Sequence, residues 1–136
     1  MAQASKTISK PRLYAALAAA GFCGAVLRFC VQSLPFGVVA GFPLGTLLAN
    51  TLGSFLIFLV FNHGVVRGGL SVAAVKVINT GFMGAFTTMS AVGTDAIALV
   101  NSGNAAMACG YMAITLVLTF GAALLAAWLC RGGDKA

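Results

Sequence analysis

Two long stretches of this chain carry almost no charge: between Leu13 and Val66 the only ionised side chain is Arg28, and between Val77 and Cys130 it is Asp95. With 60% hydrophobic and 7% charged residues among 136, no segment is left to enclose a water-soluble core of its own. Such a chain satisfies its backbone polar groups within helices and turns its apolar surface to lipid. The expectation is a single all-α membrane domain over residues 1–136.

Four segments are long enough for helices of about 20 residues: 13–34, 38–61, 70–100 and 105–130. A cleavable leader is a competing reading of the first, but that run is too long for one and three comparable segments follow it, so it is expected to be retained. The third exceeds what a straight crossing needs. Near its middle lies GFMGAFTTMS, Gly81 to Ser90, where glycines and hydroxyls interrupt apolar sequence. Backbone of this kind is tolerated at membrane depth only where protein buries it or it lines a wet cavity. It marks two half-helices joined by a break, whose carbonyls can face ions.

Charge placement sets the orientation. Lys6, Lys10 and Arg12 precede the first span, Arg67 lies in the second loop with Lys76 at the start of the third span, and Arg131 and Lys135 follow the fourth span, whereas the first and third loops carry neither Lys nor Arg. All these groups fall on one side of a four-span chain, so both termini are expected in the cytoplasm of a multi-pass protein of the cell (inner) membrane. The net charge of +6 is therefore a topology signal. Placed at segment ends and not on one face, the basic residues do not make a nucleic-acid surface.

No catalytic Ser/His/Asp set, carboxylate pair or HExxH helix occurs, so the chain is not expected to be an enzyme. Cys23, Cys30, Cys109 and Cys130 lack CxxC spacing and are read as small packing residues. His63 lies in a loop. The polar groups inside the spans carry the chemistry, since each needs a partner in hydrocarbon. Asn50 lies mid-span in GTLLANTLGSF, as a pore-wall amide or an interhelical hydrogen bond. Tyr111, Thr115 and Thr119 recur at i, i+4 and i+8, which puts three hydroxyls on one stripe, although threonine can also return its hydroxyl to its own helix. Arg28 and Asp95 are structural charges near the non-cytoplasmic ends of their spans, where a mutual ion pair is geometrically allowed. Gly37, Gly41 and Gly45 form overlapping GxxxG patterns, read as close packing or as loop.

Three motifs in order and spacing, GAVLRF around Arg28, GTLLANTLGSF around Asn50 and GFMGAFTTMS, make the chain resemble the Fluc (CrcB) family of small fluoride channels over nearly its whole length. The resemblance implies an antiparallel dimer of four-helix chains with a broken third helix. It implies two narrow pores that export fluoride passively, and a central sodium ion that is structural and not transported. By position, the carbonyls of Gly84 and Thr87 from both subunits would hold that ion, and Asn50, Ser90, Tyr111, Thr115 and Thr119 would supply donors along the anion path. The family usually carries TTFSTFS; here the stretch is TTMSAVG, with Met89 and Val92 at the phenylalanine positions. Neither side chain has the electropositive ring edge that a fluoride ion would meet there.

Two further expectations follow. Strong one-sided charge favours one orientation, so an antiparallel dimer would pair this chain with a second homologous chain of opposite bias that keeps the aromatic motif. A divergent, non-conducting subunit is the related alternative. A small multidrug exporter, which is also four-spanned and dimeric, would need a membrane carboxylate in its first helix, and none is there.

Overall fold

The computed structural model describes residues 9–132; Lys6 and Lys135, two of the residues behind the expected orientation, lie outside them. Four helical segments are long and apolar enough to cross a membrane: Lys10–Ser33, Leu44–Val66, Val72–Asn101 and Ala105–Arg131. Among the described residues no β-strand forms beyond one isolated bridge, Val39 with Phe42.

Helix α1, Lys10–Ser33, starts with Pro11 in its first turn, where a missing N–H costs nothing. It stops at Leu34, which precedes Pro35 and is extended at ψ 155°. Its one buried residue is Gly24. A Cβ at that position would collide with the carbonyl oxygen of Phe82 and meet the Phe82 carbonyl carbon at 3.0 Å and Cα at 3.2 Å. The glycine of GAVLRF is therefore where α1 touches the third span backbone to backbone.

The segment 38–43, drawn from sequence as the start of the second span, is a turn. Ala40 and Gly41 have φ of 51° and 83°, and Val39 and Phe42 exchange N–H to O bonds of 3.0 and 2.8 Å. Two successive positive φ values make a tight hairpin and exclude a helix. Helix α2, Leu44–Phe61, begins after Pro43 and continues as the π-helical turn Asn62–Val66.

The third span is assembled from pieces. Helix α3, Val72–Lys76, is capped by Ser71, whose Oγ accepts from the Ala74 N–H at 3.2 Å. A π-helical segment, Val77–Met83, leads into the short α4, Gly84–Phe86. Thr87 and Thr88 are then extended, with ψ of 149° and 124°, before α5 runs over Met89–Asn101. Gly103, at φ 82°, ends α5: its N–H reaches Val100 and the Asn104 N–H reaches Leu99. Helix α6, Ala105–Gly132, follows.

Helix α2 touches α1, α6 and both sides of the Thr87–Thr88 interruption, while α6 also packs on α5 and α1 on the π-helical segment and α4. Two small apolar clusters result. One joins Leu47, Val92, Ala96, Leu99, Ala108 and Tyr111. The other joins Ala49, Met83 and Phe86. Most remaining large apolar side chains, Phe22, Phe29, Phe120 and Trp128 among them, are exposed, as they are where lipid is the solvent.

Candidate functional site

The interruption at Thr87–Thr88 is held by side chains from two other helices. Asn50 Oδ1 accepts the Thr88 N–H at 2.6 Å, and Asn50 Nδ2 donates to the Thr88 carbonyl at 3.0 Å. From α1, Arg28 Nε donates to the Ala85 carbonyl at 3.2 Å. Gly53, one turn beyond Asn50 on the same face of α2, gives the chain room to turn. A Cβ there would strike Thr87 Cγ2 and lie 3.4 Å from Phe86 Cδ1. Thr88 then caps the restarted helix, its Oγ1 accepting the Ala91 N–H at 3.3 Å.

The clamp has a consequence for the backbone. In a continuous helix the Thr88 N–H would bond the Gly84 carbonyl and the Ala91 N–H the Thr87 carbonyl. Here Asn50 and Thr88 Oγ1 take those donors. The Gly84 and Thr87 carbonyls thus lose their helical partners, and Gly84 is exposed. Two carbonyls from one chain can bind a hard cation only in part.

An open cavity of about 450 Å³ lies beside the break, lined by Arg28, Gln32, Thr46, Ser90, Thr94 and Asp95 together with the hairpin residues. Gln32 Nε2 donates to Thr46 Oγ1 at 2.9 Å and closes α1 onto α2. Ser90 Oγ is 2.9 Å from Thr88 Oγ1, which joins the cavity floor to the break. Ser90 and Ala91 of the first turn of α5 also line the cavity, so the positive end of that helix dipole lies beside it, an arrangement that favours anions.

Arg28 and Asp95, whose spacing allows an ion pair, share this cavity without forming one. The Tyr111 hydroxyl donates to Asp95 Oδ2 at 3.1 Å, and Arg28 is turned toward Ala85. Tyr111 itself is fully buried and meets Phe42 edge to face at 5.5 Å. Further along α6, Thr115 Oγ1 donates to the Tyr111 carbonyl and Thr119 Oγ1 to the Thr115 carbonyl, both at 2.7 Å. The stripe exists, with its threonine protons returned to the helix. Met89 is 67% exposed, whereas Val92 is 4% exposed within the core cluster. The two residues at the phenylalanine positions therefore face different surroundings, and only Met89 meets the exterior of the chain.

Sequence reading did not single out Gln32, Thr88 or Asn79. Asn79 Nδ2 donates to the Ile57 carbonyl at 3.1 Å, bracing the π-helical segment against α2. An amide inside the apolar run VINTGF was the available signal.

Residues 15–128 match the model of a family described as CrcB-like protein, Camphor Resistance (CrcB). A Campylobacter jejuni protein named fluoride-specific ion channel FluC is 39% identical over 110 residues, covering 80% of this chain and 86% of its own. Fluoride-specific ion channel FluC 2 of Geobacillus kaustophilus is 36% identical over 117 residues, 85% of this chain and 88% of its own. FluC 1 of Latilactobacillus sakei is 38% identical over 96 residues, 71% and 70% of the two chains.

Proposed function

This chain belongs to the CrcB family, and from that membership we propose that it is a fluoride-selective channel that lets the anion leave the cell passively. It is a multi-pass membrane protein and not an enzyme. The observation that carries the reading is the shared name of relatives, fluoride-specific ion channels, aligned over 80% or more of this chain at 36–39% identity.

The site geometry supports that reading. Fluoride is small and firmly hydrated, so a selective path must replace water with donors. The cavity offers an entrance with the Arg28 guanidinium and the N-terminus of α5 as favourable charge. Ser90 in its wall and, beyond it, the second Asn50 N–H serve the anion, and Tyr111, Thr115 and Thr119 do so once their hydroxyls rotate away from their present acceptors.

The structural ion of this reading is sodium, bound and not transported, on the Gly84 and Thr87 carbonyls. Since one chain supplies only those two, an antiparallel second chain supplies the matching pair. Three things support a homologous partner over an identical one: the one-sided Lys and Arg distribution, the absence of both phenylalanines, and the numbering of two relatives as FluC 1 and FluC 2. Both termini then lie in the cytoplasm of a chain held in the cell membrane.

The experiment is reconstitution of the purified chain alone in liposomes, with fluoride release followed by an ion-selective electrode. Release of fluoride but not chloride supports a self-sufficient channel. Silence alone, with flux restored by a co-expressed homologue, supports the heteromeric form; silence in both cases defeats the proposal.

A further inference from the structure

The turn between α1 and α2 has an unusual surface for a loop. Residues 34–43, LPFGVVAGFP, contain no polar side chain, and Leu34, Phe36, Val38 and Val39 are 43–61% exposed. The loop at the same end of the bundle, between α5 and α6, reads Asn-Ser-Gly-Asn over 101–104. The first loop is also rigid. Besides the paired bonds of Val39 and Phe42, the Gly37 N–H reaches Leu34 at 2.7 Å and the Gly45 N–H reaches Gly37 at 2.8 Å. Its inner side is anchored by Phe42 on Tyr111, so Val38 and Val39 cannot fold inward to hide.

Depth follows from helix length. Counting about 20 residues of hydrocarbon from Tyr14, just past the basic Lys10 and Arg12, ends at Ser33. Counting back about as many from His63 along α2 ends at Leu44. The hairpin therefore starts and finishes at the boundary between acyl chains and headgroups. The exposed face of α1, with Phe22, Val26 and Phe29, runs up to it with a single small hydroxyl, that of the exposed Ser33, between, so the surface that meets lipid continues onto the hairpin at the depth where headgroups begin.

We infer that this hairpin is a membrane-surface anchor: its Leu34, Phe36 and Val39 side chains insert into the headgroup–acyl boundary of the leaflet opposite the termini. Gly37, Val38 and Pro43 also line the cavity, so lipid contact on one side of the hairpin holds the cavity rim on the other. The assignment does not depend on which ion the chain conducts.

The test uses the full chain in vesicles of phosphatidylethanolamine and phosphatidylglycerol, with Trp128→Phe removing the single tryptophan and Phe36→Trp placing a reporter on the hairpin. Asn101→Trp in the same background is the water-facing control. Lipids brominated near the headgroup or near the chain ends, and acrylamide on both sides, are the quenchers. With the hairpin seated about 5–10 Å deep, acrylamide should quench the Phe36→Trp reporter roughly threefold less than the control, and shallow bromines should quench it more than deep ones. Acrylamide quenching equal to the control would overturn the inference. Protection from both quenchers would place a second protein chain over the hairpin and overturn it equally, as would strongest quenching by deep bromines. Repeating the measurement with Val39→Trp guards against a local effect at one position.

Discussion

Replacing Asn50 by alanine removes both bonds that hold Thr88 out of the helix, the 2.6 Å bond to its N–H and the 3.0 Å bond to its carbonyl. An orphaned buried group costs about 1–3 kcal/mol in soluble proteins, but side-chain hydrogen bonds inside membrane proteins average about 0.6 and reach about 1.7 kcal/mol. Asn50 is 4% exposed, yet Thr88 adjoins Ser90 on the cavity floor, where water can replace part of the lost bonding. The smaller scale therefore governs, and two bonds amount to about 1–3 kcal/mol. The second effect concerns the backbone. With Asn50 gone, the Thr88 N–H can return to the Gly84 carbonyl, so the variant should lose fluoride flux and its response to sodium together. Equilibrium unfolding in mixed detergent micelles, read by Trp128 fluorescence, gives the stability; liposome efflux gives the flux. Ser54→Ala, which leaves the clamp intact, should be milder in both. Parental stability and parental flux in Asn50→Ala would show that the break does not depend on this amide, and the reasoning would fail.

Gly24→Ala pushes a methyl into the backbone of Phe82, which cannot swing away, and should cost about 1–3 kcal/mol in the same unfolding assay; Gly110→Ala, with nothing within 4 Å, should be neutral or slightly stabilising, and equal effects of the two would refute the close crossing. Met89→Phe, on an exposed position, should fold normally and raise fluoride flux or selectivity over chloride, whereas Val92→Phe should overpack the cluster of Leu47, Leu99 and Tyr111 and lower stability; the opposite ranking in stability would contradict the placement of Val92. Exchanging sodium for a large organic cation should lower the melting temperature of the solubilised protein if the Gly84 and Thr87 carbonyls bind the ion, and an unchanged melting profile would remove that site. Reporters fused to the C-terminus that are active on only one side of the membrane should signal from the cytoplasm alone, and comparable signals from both sides would restore a dual-orientation homodimer.

Sequence alone determined the helical membrane architecture, because a charge-free run of about 20 residues has few ways to satisfy its backbone in lipid. It also determined the family, through motifs whose order and spacing survive in GAVLRF, GTLLANTLGSF and GFMGAFTTMS. The tertiary structure decided how the polar groups are used. Whether the Asn50 amide faces a pore or another backbone depends on a residue 38 positions away, and no helical period reaches that far. The partner of Asp95 turned out to be Tyr111 and not Arg28, which found Ala85 across a separation of 57 residues. Val92 and Met89, three apart on α5, were indistinguishable as lost aromatics until packing against α2 and α6 buried one and left the other outside. The start of α2 moved to Leu44 for a local reason, two positive φ angles in a segment whose apolar composition reads equally as helix. Hydrophobicity specifies that a segment leaves water; the contacts made across the bundle specify what each polar atom in it does.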